Sequence, residues 1–557
     1  MERLENIKDK KKVVEDFFKW LFEKDNIELS EEIDFSLANQ YYDPNIYYTK
    51  EILDFFNTDA MKRLGRVSQL GLMVDQNENC YHNRLEHSKG TYNRKLEELI
   101  YLTSDEEYKK YVEENGLKLY LVAELIKEAA HDIGHLPLSH IMEIKVMGRR
   151  DFHEDIGKRI LLEDEQIENA LNSIDPELKS TLKKLIEEDS LHLSSHDEGN
   201  YDVDRLDYLL RDSLYSGEPI QDYHHEQYKR RYAKTNENGN IIENEDGSIM
   251  LVDQDNKNDS KTRIDVYENS SLGVIEHFLE SRVQAYKKMY FSESIQVKDS
   301  LVGIFVNAVL ADQAEDTASE LKDFINKLKQ KDININLNEY LQWDDIRFYT
   351  NCFDIAQNCN DANLRKLSGM IIPNLDSLMN LTFSHLNLKN AKANNFEDLR
   401  LEDKEFVQQI KELVYSDSEL SKMLKNKNYY DKNRLMSFGE QNVKELKQKL
   451  QDNVFCSTAT VYAYNPKIPI YIKDKHGKVF PLHTHPERSC NWEERKEKMD
   501  VVFTTIPSLR AKGLSDEEIE KIRNEFLLRK PELSKEKETV SMRPIRTDSR
   551  MEDYFEI

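Results

Sequence analysis

Apolar residues return every three or four positions along most of this chain, a spacing that restricts it to a fold built mainly from amphipathic helices. Val122, Leu125, Ile126 and Ala129 form one such stripe, and comparable stripes recur over 298–311, 318–328, 405–425 and 441–451. Only 17 Gly and 12 Pro among 557 residues leave few places where helices must stop. The exception is 235–265. There Asn238-Gly239 and Asp246-Gly247 punctuate two strand-like pieces, Ile241-Ile242 and Ile249 to Val252, which we read as a β-hairpin excursion from a helical body. A strand pair is also expected near 460–482, around Tyr462, Tyr471 and Val479, and a polar surface loop over 253–263.

This length allows about three or four units at ~150 residues each. The division expected is an N-terminal helical segment (1–45), the principal helical core (46–330), a mostly helical C-terminal lobe (331–500), and a C-terminal segment (501–557) whose weakly ordered tail starts near Arg529. No stretch approaches the ~20 apolar residues of a spanning helix and the start lacks an apolar leader, so the expectation is a soluble, cytoplasmic protein with no membrane partner. The five cysteines are too scattered for a disulfide framework or thiolate cluster. Subtracting 105 acidic from 79 basic residues leaves a net charge of −26. That field repels nucleic acid, so a phosphate-handling pocket must carry its own cations.

Six of the fifteen histidines fall between 82 and 153: His82, His87, His131, His135, His140 and His153. A helical stripe ends in Ala129-Ala130-His131-Asp132-Ile133-Gly134-His135 and delivers an adjacent His-Asp pair just before a glycine. Neighbouring residues on a helix point about 100° apart, so both reach one ion only if it lies between their directions or at the helix end. Imidazole nitrogen and carboxylate oxygen together suit Fe, Mn, Zn or Ni. Upstream, Arg84, His87, Thr91 and Arg94 share a helix face, and downstream Asp204, Tyr208 and Asp212 share another. A His from one helix, a His-Asp pair from a second and an Asp from a third supply four ligands to one ion. Taken singly, His87 or Asp204 is more often structural; the weight comes from the combination. His483-Thr484-His485 reads as a surface loop, and Cys352 with Cys359 as core-facing thiols.

The order His87, His131-Asp132, Asp204 resembles the HD-domain metal-dependent phosphohydrolases. Four blocks, Arg66 to Gly71, His82 to Ser88, His131 to His140 and Asp202 to Asp212, narrow the resemblance to the deoxynucleoside triphosphate triphosphohydrolases. This dGTPase-like group includes animal members with a sterile-alpha-motif domain, and the resemblance covers about 45–330. Arg282 and Tyr290 match further family positions, whereas Ser292 stands where a histidine is usual.

The resemblance implies an HD-domain helical core over 46–330 with one divalent transition metal (Fe, Mn, Zn or Ni) on His87, His131, Asp132 and Asp204. Water attacks the α-phosphorus of a dNTP, and inorganic triphosphate leaves; Mg travels with the nucleotide. Arg84, Arg205 and Arg282, with His135 or His153, hold the phosphates. His140 protonates the 5′ oxygen, supported by Glu143, where the family commonly has aspartate. Gln69, Leu70, Tyr208, Asp212 and Tyr290 frame the deoxyribose, with the Leu-Tyr pair excluding a ribose hydroxyl. The family also implies a homo-oligomer, tetramer or hexamer, with a nucleotide activator, although Phe291-Ser292-Glu293 lacks the His-Lys pair that animal members use toward theirs. Two other readings stand beside this one. An HD-type phosphodiesterase or nucleotidase acting on monophosphates or cyclic dinucleotides is opposed by Gln69-Leu70 and the Arg205 to Tyr208 segment. A non-catalytic nucleotide sensor or single-stranded nucleic-acid binder is opposed by the complete ligand set.

Overall fold

The fold is that of a computed structural model, which describes residues 10–34, 44–149, 151–188, 200–217, 228–238, 240–252, 261–311, 319–330, 335–385, 400–425, 435–439, 448, 450 and 455–527. The chain is mainly α-helical with small sheets. The expected helices appear as Lys118–Ala129, Glu293–Ala311, Ser319–Leu328, Leu401–Tyr415 and Glu419–Lys425. Most of the 441–451 stripe and the tail beyond Leu527 lie outside the described residues.

Three helices position the histidine-rich segment. Arg84–Thr103 opens at Asn83, whose side chain accepts from the Glu86 N–H at 3.1 Å while its amide donates to the Glu86 carboxylate, satisfying a free donor of the first turn. Lys118–Ala129 packs alongside it with its Leu121, Leu125 and Ile126 stripe fully buried. Val203–Ser216 opens at Asp202, which accepts from the Arg205 N–H at 2.9 Å, and closes at Gly217, where φ of 73° suits a residue without a Cβ. Its Leu206 and Leu209 are buried, as their spacing predicts.

The β excursion is larger than the local reading. Tyr228–Lys234 pairs antiparallel with Lys261–Tyr267 over seven positions, and Leu251–Val252 lies outside it. The strand Lys261–Tyr267 occupies the end of the expected polar loop, whose remainder (253–260) lies outside the described residues. Ile241 and Ile249 make only isolated bridges, to Thr235 and Glu243. Tyr228–Lys234 escapes a pattern search because four of its seven residues are Lys or Arg. Two strands from the distant 460–482 region complete the sheet: Tyr471–Lys473 joins Lys261–Tyr267 in parallel, and Val479–Pro481 joins that. Tyr267, Ile472 and Leu482 share a buried cluster with Leu206, Leu209 and Phe278, so the sheet backs the helix that carries Asp204.

One expectation is corrected. Glu293–Ala311 is a helix long and apolar enough to cross a membrane by length and composition, although no such stretch was expected. It carries a core role here: Val302, Phe305, Val306 and Val309 are buried in the main core, and Val297 and Leu301 pack with Val501 and Phe503 of the C-terminal sheet.

Candidate active site

His87 lies in the first turn of Arg84–Thr103, His131 and Asp132 follow the end of Lys118–Ala129, and Asp204 sits in the first turn of Val203–Ser216. Their donor atoms converge. His87 Nε2 lies 3.2 Å from His131 Nε2 and 3.0 Å from Asp204 Oδ1, and His131 Nε2 lies 3.5 Å from that oxygen. Asp132 borders the same space, with Oδ1 3.4 Å from His131 Nε2 and Oδ2 3.6 Å from His87 Nε2. Burial opposes charge on His87, yet its hydrogen bonds to Asp204 and Asp207 and the field of Asp132 raise its pKa to about 9. Burial likewise opposes the Asp132 carboxylate, but Arg84, His131 and His135 hold it well below the usual range. A set of imidazoles and carboxylates this close, with acids kept ionised, fits a divalent cation, whose binding displaces the protons that otherwise hold the histidines.

The surrounding residues fix that set. The second nitrogen of His87, Nδ1, lies 2.8 Å from Asp207 Oδ2, and Arg211 clamps Asp207 while reaching Asp34 at 2.9 Å. A carboxylate behind a ligating imidazole fixes its tautomer and strengthens it as a ligand. Gly90 makes the approach feasible: a Cβ there would stand 2.0 Å from Asp207 Oδ1. His131 Nδ1 lies 2.8 Å from the Glu128 carbonyl, which serves the same end. Sequence reasoning missed Asp207; its only local signal was the i, i+4 spacing to Arg211.

Beside this centre, the Glu143 carboxylate lies 2.8 Å from both His140 Nδ1 and His153 Nδ1. His135 stacks on His153 with ring centroids 4.0 Å apart, and its Nε2 lies 3.1 Å from Asp132 Oδ1. Burial, then Arg84 and His153, hold His135 well below its usual pKa and thus neutral.

The expected nucleotide-facing residues fall into two groups. Arg84 donates to Asp132 at 2.5 Å and to Ser139 Oγ at 2.7 Å, so it braces the metal-ligand loop. Arg205 pairs with Asp202, and Arg282 lies over the Tyr286 ring. Tyr290 donates to Asp212 Oδ2 at 2.5 Å, while His82 Nε2 lies 2.7 Å from the other oxygen. Tyr208 lies between His87 and Tyr290, with ring centroids 6.4 and 6.2 Å away. Gln69 is held through its backbone N–H on the His82 carbonyl, next to the half-buried Leu70, and its buried Oε1 has no hydrogen-bond partner. A π-helical turn, Tyr286–Tyr290, delivers Tyr290, and another, Met142–Met147, delivers Glu143.

A brace from the C-terminal part holds the loop between His135 and His140. Leu138 and Ser139 are both left-handed, with φ of 57° and 56°, a conformation costing ~1–2 kcal/mol for an L-residue. The buried Asp345 carboxylate accepts from Leu138 N–H at 2.7 Å and from Ser68 N–H at 2.9 Å. Arg63 donates to the carbonyls of Ile133, His135 and Trp343, and Tyr340 donates to the Gly134 carbonyl. Nothing in the local sequence marks Asp345 as part of the site.

No family model matches the chain. It is 32% identical over 180 residues to an uncharacterized protein of Mycoplasma pneumoniae, covering 30% of this chain and 40% of that one. It is 31% identical over 207 residues to a putative HD domain-containing protein of Acanthamoeba polyphaga mimivirus, covering 32% of this chain and 45% of that protein. It is 30% identical over 179 residues to a deoxynucleoside triphosphate triphosphohydrolase homologue of Dictyostelium discoideum, covering 30% and 34%. The chain thus spans less than half the length of these relatives. The likeness is thus to proteins named for an HD domain and for triphosphohydrolase activity, and the site's donors fit a divalent metal, whose identity the donor set leaves open.

Proposed function

We propose that the chain hydrolyses deoxynucleoside triphosphates to deoxynucleoside and inorganic triphosphate. The observation that carries this reading is the adjacency of three features: the His87, His131 and Asp204 donor set, the His140–Glu143 pair, and the Tyr208, Tyr290 and Asp212 wall. The first implies hydrolysis at phosphorus, the second a proton source, and the third a framed sugar.

His87, His131, Asp132 and Asp204 would hold the ion. When bound, it supplies Lewis acidity toward a phosphate oxygen and toward water. The residues do the rest. Arg205 and Arg282, with His135 or His153, offset triphosphate charge. As a water oxygen bonds to the α-phosphorus and the bond to the 5′ oxygen breaks, His140, steered by Glu143, donates a proton to that departing oxygen, which leaves a neutral alcohol and triphosphate. Leu70 and Tyr208 crowd the C2′ side, against a ribose hydroxyl. Mg accompanying the nucleotide, assembly into a tetramer or hexamer, and a nucleotide activator belong to the same proposal, as does a cytoplasmic location.

Anion-exchange analysis of products tests it, with the pure protein incubated with each dNTP and NTP, singly and mixed, in Mg or Mn. Triphosphate plus deoxynucleoside from dNTPs, absent with Asp132→Ala, is the expected result. Turnover of monophosphates or cyclic dinucleotides alone would replace this reading with the phosphodiesterase or nucleotidase alternative.

A further inference from the structure

Among the described residues, one other group brings metal-type donors together: His135, His140, Glu143 and His153 each offer an atom, and all four lie within 4.8 Å of one another. The Glu143 side chain is wholly buried, and its two oxygens are divided between His140 Nδ1 and His153 Nδ1. His135 is also wholly buried; its Nε2 lies 3.1 Å from Asp132 Oδ1, and its Nδ1 has no hydrogen-bond partner. Leaving a buried polar group unpaired costs roughly 1–3 kcal/mol, so an imidazole in this state, aimed among other donors, points to a ligand.

We propose that His135, His140, Glu143 and His153 form a second divalent transition-metal site of zinc type, separate from the one on His87, His131, Asp132 and Asp204. Three imidazole nitrogens and one carboxylate oxygen suit zinc. Bonds of about 2.0–2.2 Å in a tetrahedron place donor atoms roughly 3.3 Å apart. The two 2.8 Å contacts need only open slightly and the widest separation close, shifts within side-chain reach. Three of the donors rest on braced backbone. Arg63 holds the His135 carbonyl, Glu143 sits in the π-helical turn, and His153 N–H donates to Glu143 Oε1 at 2.6 Å. His140 is 52% exposed and supplies both the adjustable ligand and the route of entry. An ion there takes the Glu143 oxygen that steers His140, so the group serves either as proton donor or as metal site. Zinc is therefore inhibitory at this position.

Zinc titration of the chelator-stripped full chain against a chromophoric competitor, with elemental analysis after gel filtration, tests the proposal. Wild type is expected to bind two equivalents. The double variant His140→Asn/His153→Asn is expected to bind one, and so is His87→Asn/Asp204→Asn. If the first double variant fails to fold, His140→Asn alone, at an exposed position, is expected to weaken one equivalent at least tenfold. A single equivalent in wild type, or two undiminished equivalents in the His140 variants, overturns the site. The count needs no substrate: two equivalents of zinc in a protein whose one-ion form shows no turnover in Mg or Mn would sink the dNTP reading and leave this site standing, and turnover in a protein that never takes up a second equivalent would do the reverse.

Discussion

Replacing Asp345 by alanine probes the brace on the catalytic loop. The carboxylate accepts two buried N–H groups, Leu138 at 2.7 Å and Ser68 at 2.9 Å, and each orphaned donor costs about 1–3 kcal/mol, or about 2–6 kcal/mol together. Burial works against the wild type, pushing the Asp345 carboxyl up to about 6 despite those amides. Its ionised form is therefore penalised in the fold at neutral pH by about 3 kcal/mol, and the net loss expected at pH 7.5 is at most about 3 kcal/mol. Between the unfolded value of 3.8 and about 6 the native state binds more protons, so wild-type stability from this group grows as pH falls through 6. The deficit of Asp345→Ala at pH 5 should then exceed that at pH 7.5 by about 1.4 kcal/mol. Released from its acceptor, the left-handed pair Leu138-Ser139 relaxes and displaces His140, for which a loss of about 10²-fold in kcat is reasonable for a ~1 Å misplacement. Urea unfolding at the two pH values, with triphosphate release and metal content, measures all of this. A deficit independent of pH, or unchanged turnover in a folded variant, would refute the reasoning.

Asp207→Asn should weaken the ion on His87 and His131 by about 10–100-fold, read by chelator competition, whereas Asp204→Asn should remove it; equal affinity in Asp207→Asn would deny that the carboxylate supports His87. Gly134→Ala places a Cβ 2.0 Å from the His153 carbonyl and 2.5 Å from Gly157 N, both backbone, and should cost at least ~1–3 kcal/mol; Gly273→Ala, with nothing within 4 Å, should not lower the melting temperature. Tyr290→Phe removes the donor to Asp212 and should raise KM for a dNTP more than it lowers kcat, and a kcat effect alone would move Tyr290 from sugar framing to chemistry.

The helices were legible because they depend on short-range spacing along stripes, whereas the joining of His87, His131, Asp132 and Asp204 from three helices was legible only through the order of motifs shared with the HD-domain phosphohydrolases. Val122, Leu125 and Ile126 reveal a buried face, and the His-Asp pair before Gly134 ends it. What supports those ligands was not legible. Asp207 meets a histidine 120 positions earlier, and Asp345 meets amides 207 and 277 positions earlier, contacts that no local period encodes. The sheet was underread for the same reason: strands around Tyr471 and Val479 were expected, but the joining of Tyr471–Lys473 to Val266 and Tyr267, about 200 positions earlier, has no local sign. Glu293–Ala311 was underread because Glu293, Lys298 and Asp299 interrupt its apolar residues, so no continuous run marks a helix that is apolar enough on average.

That parallel pairing also orders events during synthesis. Val266 leaves the ribosome about 200 residues before its partner Tyr471, a delay of roughly 10–40 s at 5–20 residues per second. Until then Lys261–Tyr267 has an open edge, and the apolar surface that Ile472 and Leu482 will cover stays exposed beside the helix bearing Asp204. The nascent chain must pass this interval without aggregating, so a helper that shields strand edges should raise the yield of the full chain. A fragment ending before residue 471 should depend on such help permanently.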